Sequence, residues 1–204
     1  MFFANVIFLL LLNDLFLLAA PGVTWLIRLT AFQGVLLGSL LFDMDHALLG
    51  AAVLGIKGIL LPVLLARTYK HIGRREKTRH LNHAIAVLMG VLGLVFSLWL
   101  ENRMDLMPGL FPDLLFPAAI TTLFCGLILV VGRATALSQV IGYLVAENGI
   151  FLLGAPLMAA GAIWFELALL LDIFVAVFVM GIAIGHIGEK FESMDTARFR
   201  SLRD

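Results

Sequence analysis

The chain has 204 residues, 62% of them hydrophobic and 14% charged, with 14 basic and 14 acidic side chains in balance and a mean hydropathy of +1.06. In water such a chain would present an apolar surface, so the composition describes an integral membrane protein and leaves no room for a soluble catalytic domain. Its surroundings are the lipid bilayer; neither nucleic acid nor a small-molecule substrate is expected as a partner.

Spanning chains must satisfy their backbone polar groups internally, and the apolar runs are long and continuous, so every span is expected to be a helix. About 20 apolar residues cross a hydrocarbon core roughly 30 Å thick. That length finds seven segments in chain order, 2–20, 24–43, 47–67, 83–100, 113–132, 135–154 and 157–187. The first has no Lys or Arg ahead of it and carries Asp14 within the apolar run, which reads as an uncleaved helix and not as a secretory signal. The last is long enough to tilt or project. Trp25, Trp99 and Trp164 fall near span ends, where aromatic belts form.

The segment "ARTYKHIGRREKTRHLNH" after the third span holds Arg67, Lys70, Arg74, Arg75, Lys77 and Arg79, and so is expected in the cytoplasm. Seven spans then put the N-terminus outside and the C-terminus inside. Arg28, Arg133, Lys190, Arg198, Arg200 and Arg203 fall on the same side, which leaves only Arg103 outside and Lys57 within the membrane. A multi-pass protein with its basic segments in the cytoplasm is thus expected.

Internal repetition is visible. "HIG" occurs at 71–73 and at 186–188, and 14 residues before each His stands a charge within a span, Lys57 in one case and Asp172 in the other. Arg28, Thr30, Ala31 and Val35 pair with Arg133, Thr135, Ala136 and Val140; after a one-residue slip, Gly38, Leu40 and Asp43 pair with Gly142, Leu144 and Glu147. The pattern suggests two parallel three-helix units, 1–80 and 113–187, joined by a linking helix and outer loop over 81–112 and followed by a polar tail, 188–204. Chance matches among apolar helices are the competing explanation.

The repeat frames Glu147, which sits inside "GYLVAENGIFLL", residues 142–153. At about 1.5 Å per residue, Glu147 lies roughly 20 Å from Arg133, and Asp172 roughly 21 Å from His186, near or just past the midplane. A charge there costs about 2.5–3.5 kcal/mol on insertion scales, so it is expected to face protein or a water-filled cavity. Burial and a neighbouring lysine act on a carboxyl in opposite senses. Glu147, Asp172, Lys57 and Asp43 are therefore the candidates for a proton relay, with Asp14, His186 and Glu166 as secondary ones. Charges that merely pair and hold helices together are the plainer alternative.

These residues carry a resemblance. From about 113 onward, with "IGYLVAENGIFL" and then "LLLDIFVAVFVMGIAIGHIGEKFESMDTARFRSLRD", the chain resembles the three-helix K-type subunit of respiratory complex I and the C-type subunit of multisubunit cation/proton antiporters. With its extra N-terminal helices, the whole chain is similar to the hydrogenase-4 component E family, membrane subunits of formate hydrogenlyase-type complexes. The resemblance implies an acid on each of the last two helices in a proton path, matched here by Glu147 and Asp172. Asp stands where that subunit usually has Glu, and the connection between the acids is shorter. It further implies antiporter-like and other membrane subunits as partners.

The remaining features read as structural. Asp43, Asp45 and His46 suit a polar turn at the outer surface better than a metal site. His71, His80 and His83 lack carboxylate or thiol partners at ligand spacing. Cys125 stands alone, so neither a disulfide nor an iron–sulfur cluster is expected, nor any other cofactor or metal. Glu166 precedes Asp172 by about 240° of helical turn, so the two do not share a narrow face. Glycines in "GAAVLGIKG" and "MGIAIGHIG", and Gly34 with Gly38, would let helices approach closely. Asn13 with Asp14 and Glu147 with Asn148 form polar pairs suited to helix contacts. The 16 phenylalanines give no local case for a quinone pocket. The expected function is a non-redox membrane subunit of a group 4 hydrogenase-like or complex I-like assembly, without enzyme activity of its own. A purely structural adaptor and a self-contained small transporter are the alternatives.

Overall fold

Proline has no N–H with which to continue a helix, and α1 (Phe2–Ala19) stops two residues short of Pro21. The chain turns at Pro21 and Gly22, whose carbonyl accepts the N–H groups of Trp25 and Leu26 as α2 (Val23–Asp43) begins. A computed structural model describes residues 2–43, 47–72, 82–103 and 114–156. The third span is built in three pieces: α3 (Ala47–Val53), a π-helical stretch (Leu54–Leu60) and α4 (Leu61–Ile72). Pro62 accounts for the widened middle, because its ring would press on the carbonyl four residues back in an α-helix. The Leu61 N–H reaches instead to the Ile56 carbonyl, five residues back. Next in the chain are α5 (His83–Arg103), α6 (Leu115–Gly132) and α7 (Ala136–Gly154). Thr135 caps α7, its hydroxyl oxygen accepting the Ser138 N–H at 3.3 Å.

Six of the expected spans are present as helices long and apolar enough to cross a membrane, and no strand occurs among the described residues. The expected seventh, 157–187, and the polar tail lie outside the described residues. The helices alternate in direction, so the bend at residues 20–22, the end of α4 and the bend at 133–135 lie at one end of the bundle. Arg28, Arg67, Lys70 and Arg133 gather toward this basic end.

α1 packs against α2, α5 and α6, while α2 also meets the third span and α7. α5 is peripheral, with Leu88, Leu92, Val95, Phe96 and Trp99 directed outward, as lipid would require. The most intimate pair is α6 with α7. A Cβ on Gly126 would collide with the backbone of Ala146; one on Gly142 would lie 2.7 Å from the Val130 nitrogen, and one on Gly149 2.5 Å from the Leu123 nitrogen. Without these side chains the two backbones pass in contact. Gly34 does the same between α2 and the π-helical stretch, where a Cβ would sit 2.6 Å from the Lys57 carbonyl oxygen. Gly58 meets Val35 of α2, whereas Gly55 has open space before it among the described residues; Gly181 lies outside them.

The buried apolar side chains fall into two clusters. One, toward the basic end, includes Leu17, Leu26, Leu65, Leu129 and Ile141. The other, toward the opposite end, includes Ile7, Leu37, Val53, Leu115 and Leu152. On each of five spans the stretch between the clusters is polar: Asn13 and Asp14, Thr30 and Gln33, Lys57, Thr121 and Thr122, Glu147 and Asn148. The residues paired by the internal repetition occupy unlike settings. Arg28 lies inside α2 but Arg133 lies in the bend before α7. Gly38 faces Leu54 and Gly50, whereas Gly142 faces α6.

Candidate functional site

Gly34 brings the backbone of Lys57 against α2, and from there the lysine side chain extends to α7. Lys57 is 4% exposed and Glu147 3% exposed, and their Nζ and Oε1 atoms are 2.6 Å apart. The same Nζ donates to Asn148 Oδ1 at 2.9 Å and lies 5.3 Å from the centre of the Phe151 ring, on whose face a cation is attracted. The residue inserted by the π-helical turn rotates the remainder of the span by about 100°, and such turns frequently accompany functional positions.

Hydrogen bonds continue from this pair across the bundle. Asn148 Nδ2 donates to Gln33 Oε1 at 3.0 Å, and Gln33 Nε2 donates to Asp14 Oδ1 at 2.7 Å. The second oxygen of Asp14 lies 2.6 Å from the Thr122 hydroxyl, which is also 2.8 Å from the Ala118 carbonyl. Asp14 and Gln33 are fully buried and Asn148 is 3% exposed. A single buried series thus links Glu147, Lys57, Asn148, Gln33, Asp14 and Thr122 on five spans. Beside it, Asn13 Nδ2 donates to the Leu29 carbonyl at 3.3 Å, and the Ser97 and Thr121 hydroxyls meet at 3.0 Å.

At the basic end, Arg133 Nη2 donates to the Ala20 carbonyl at 2.6 Å, and a ring nitrogen of His83 lies 3.2 Å from the same oxygen. Burial pushes the Arg133 guanidinium below its ordinary range. Three segments of the fold, the α1 end, the α5 start and the α6–α7 bend, are tied at that one oxygen.

Of the residues singled out from sequence, Lys57 and Glu147 are in direct contact and Asp14 joins them through two amides. Asp43 ends α2, ten residues beyond Gln33, which is about 15 Å along the helix axis from the polar layer. Asp172, Glu166 and His186 lie outside the described residues. Gln33 and Thr122 were not singled out. Gln33 did leave a signal, as an amide at the centre of an apolar span, where an unsatisfied polar group is costly; Thr122 left none, because a span threonine commonly bonds its own helix. No group of metal-binding side chains occurs among the described residues.

The described residues form an all-helical bundle, six of whose helices are long and apolar enough to cross a membrane, and its core is split by a buried charged layer. No family model and no solved structure matches it. The chain is 31% identical to the uncharacterized protein Rv0085 of Mycobacterium tuberculosis (strain ATCC 25618 / H37Rv), over 92% of each protein, and it belongs to the same family.

Proposed function

We propose that the protein is a non-redox membrane subunit of a group 4 hydrogenase-like or complex I-like assembly, in which the buried layer forms part of a transmembrane proton path. The single observation that carries this reading is the Lys57–Glu147 contact at 2.6 Å within a polar layer enclosed on both sides by apolar clusters. An ion pair there is more expensive to bury than an apolar contact of the same size joining the third span to α7 would be. Ionisable groups retained at such depth commonly serve ion movement. The resemblance of the 113–204 region to K-type subunits supports the same reading, with Glu147 as the first acid and Asp172 as the second; Asp43 would lie toward the outer mouth. The orientation follows the basic residues, with the basic end in the cytoplasm. The protein would have no enzyme activity alone and would pack against antiporter-like subunits in the cytoplasmic membrane.

A purely structural role is the second reading, favoured by the amides of Asn148 and Gln33, which tie the charges into a closed set of bonds. Glu147→Gln separates the two. The amide keeps the size and polarity of the side chain but cannot ionise, so proton movement in vesicles should fall at least tenfold per assembled complex. Normal pumping by a fully assembled Glu147→Gln complex would refute the proton-path reading.

A further inference from the structure

The partners of Asp14 differ in kind from those of Glu147. Both are neutral: Gln33 Nε2 donates to Oδ1 at 2.7 Å, and the Thr122 hydroxyl lies 2.6 Å from Oδ2. That hydroxyl has one hydrogen and two acceptors within reach, Asp14 Oδ2 and the Ala118 carbonyl at 2.8 Å. With the carboxylate ionised, Thr122 gives its hydrogen to Oδ2. With a proton on Oδ2, the new O–H donates to the Thr122 oxygen, and Thr122 turns its own hydrogen to the Ala118 carbonyl. Both forms are fully hydrogen-bonded with every heavy atom in place.

The amides also determine which oxygen is available. Charged Lys57 requires an oxygen from Asn148, which turns Asn148 Nδ2 toward Gln33 and leaves Gln33 Nε2 facing Asp14. Oδ1 therefore receives an N–H while Lys57 is charged, and Oδ2 is the oxygen whose proton would find an acceptor, because Thr122 can turn its own hydrogen away. Toward the basic end, a cavity of about 10 Å³, the space of roughly one water, is lined by Leu18, Ala86, Ile128, Leu129, Gly132 and Arg133. Leu18 is one helical turn beyond Asp14, so the cavity lies about 6 Å further along α1, in its seam with α5 and α6.

We infer that Asp14 is a second proton-binding site of the protein, at Oδ2, with Thr122 as the turning hydroxyl and the α1–α5–α6 seam as its side of access. An aqueous proton forms the O–H bond on Oδ2, and the reverse step returns it. The titratable groups around the site are Cys125 on α6 and, beyond the two amides, Lys57 and Glu147; on α5, His83 meets Arg133 at Ala20, further toward the basic end. The inference rests on the proton-path reading for its purpose, but its measurement does not depend on transport.

The test is infrared difference spectroscopy of the full chain in lipid, perfused alternately with acid and alkaline buffer. A carbonyl band of a protonated carboxyl should appear on the acid side and move when aspartate is isotope-labelled. Thr122→Val should displace it, Thr122→Ser should restore it, and Gln33→Leu should raise its frequency by removing the N–H on Oδ1. Asp14→Asn should abolish it. Absence of a label-sensitive band in the wild type, or a band indifferent to both Thr122→Val and Gln33→Leu, overturns the assignment. Glu147→Gln keeps the band, so normal pumping in that variant would defeat the proton path and leave the Asp14 site standing.

Discussion

Removing one member of the Lys57–Glu147 pair should be far more damaging than removing both. At an effective dielectric constant of about 20, unit charges 2.6 Å apart attract by about 6 kcal/mol. Desolvation cancels much of that gain, so the intact pair contributes little net stability, whereas a buried survivor costs about 3–5 kcal/mol. Glu147→Gln leaves the ammonium with Asn148 and the Phe151 face, and Lys57→Met leaves the carboxylate; each should lose stability on that scale. The double variant leaves no charge, and its loss should be nearer the ~1 kcal/mol of an ordinary hydrogen bond. A lone Glu147 can also neutralise itself by taking a proton, so the Lys57→Met deficit should shrink in acid. Reversible unfolding in mixed micelles, followed for the four members of the cycle, measures these differences. Additive losses of about 6–10 kcal/mol in the double variant would show that the two side chains do not share one desolvated contact.

Gly126→Leu should force α6 from α7 and destabilise the fold by at least ~1–3 kcal/mol in the same unfolding assay, while Gly55→Leu, with open space before it, should change the isolated chain by under about 0.5 kcal/mol; equal losses would contradict the packing. Expressed alone, the chain should be readily cut by protease in membranes and protected by co-expression with an antiporter-like subunit. Equal resistance in both settings, together with ion movement by the purified monomer in liposomes, would favour a self-contained transporter.

The helices were legible because long apolar runs allow few solutions, but not all their limits were: the expected start of the second at 24 and the observed Val23 differ by one residue, whereas the third, expected to end at 67, runs to Ile72. Glu147 and Lys57 were legible for the same reason, since a charge in an apolar run stands out. Their contact was not. The two lie 90 residues apart in sequence, and the repetition set Lys57 against Asp172 and Glu147 against Asp43. Lys57 is joined to Glu147 by the backbone approach at Gly34 and the extra residue in the turn before Pro62, and neither helical periodicity nor spacing encodes that rotation. The amides were half-legible: Asn148 was marked as a polar helix contact, but a hydrogen-bonded line from Asp14 to Lys57 required knowing that α1, α2, α7 and the third span meet at one depth.

That line is continuous, yet it is not a proton wire. Asn148 and Gln33 have no titratable proton at ordinary pH, so a proton cannot hop from Asp14 to Glu147 along the bonds as they stand. The amides can instead transmit orientation. Each must offer oxygen toward the ammonium of Lys57 and N–H toward the Asp14 side. Protons bound at the two carboxylates would therefore reach their sites by separate routes, that of Asp14 through the α1–α5–α6 seam. Their occupancies would be linked through the direction of two side-chain amides. Replacing Gln33 or Asn148 by leucine should consequently uncouple the two sites while leaving each carboxyl in place, a different outcome from interrupting a wire, where transfer between them would simply stop.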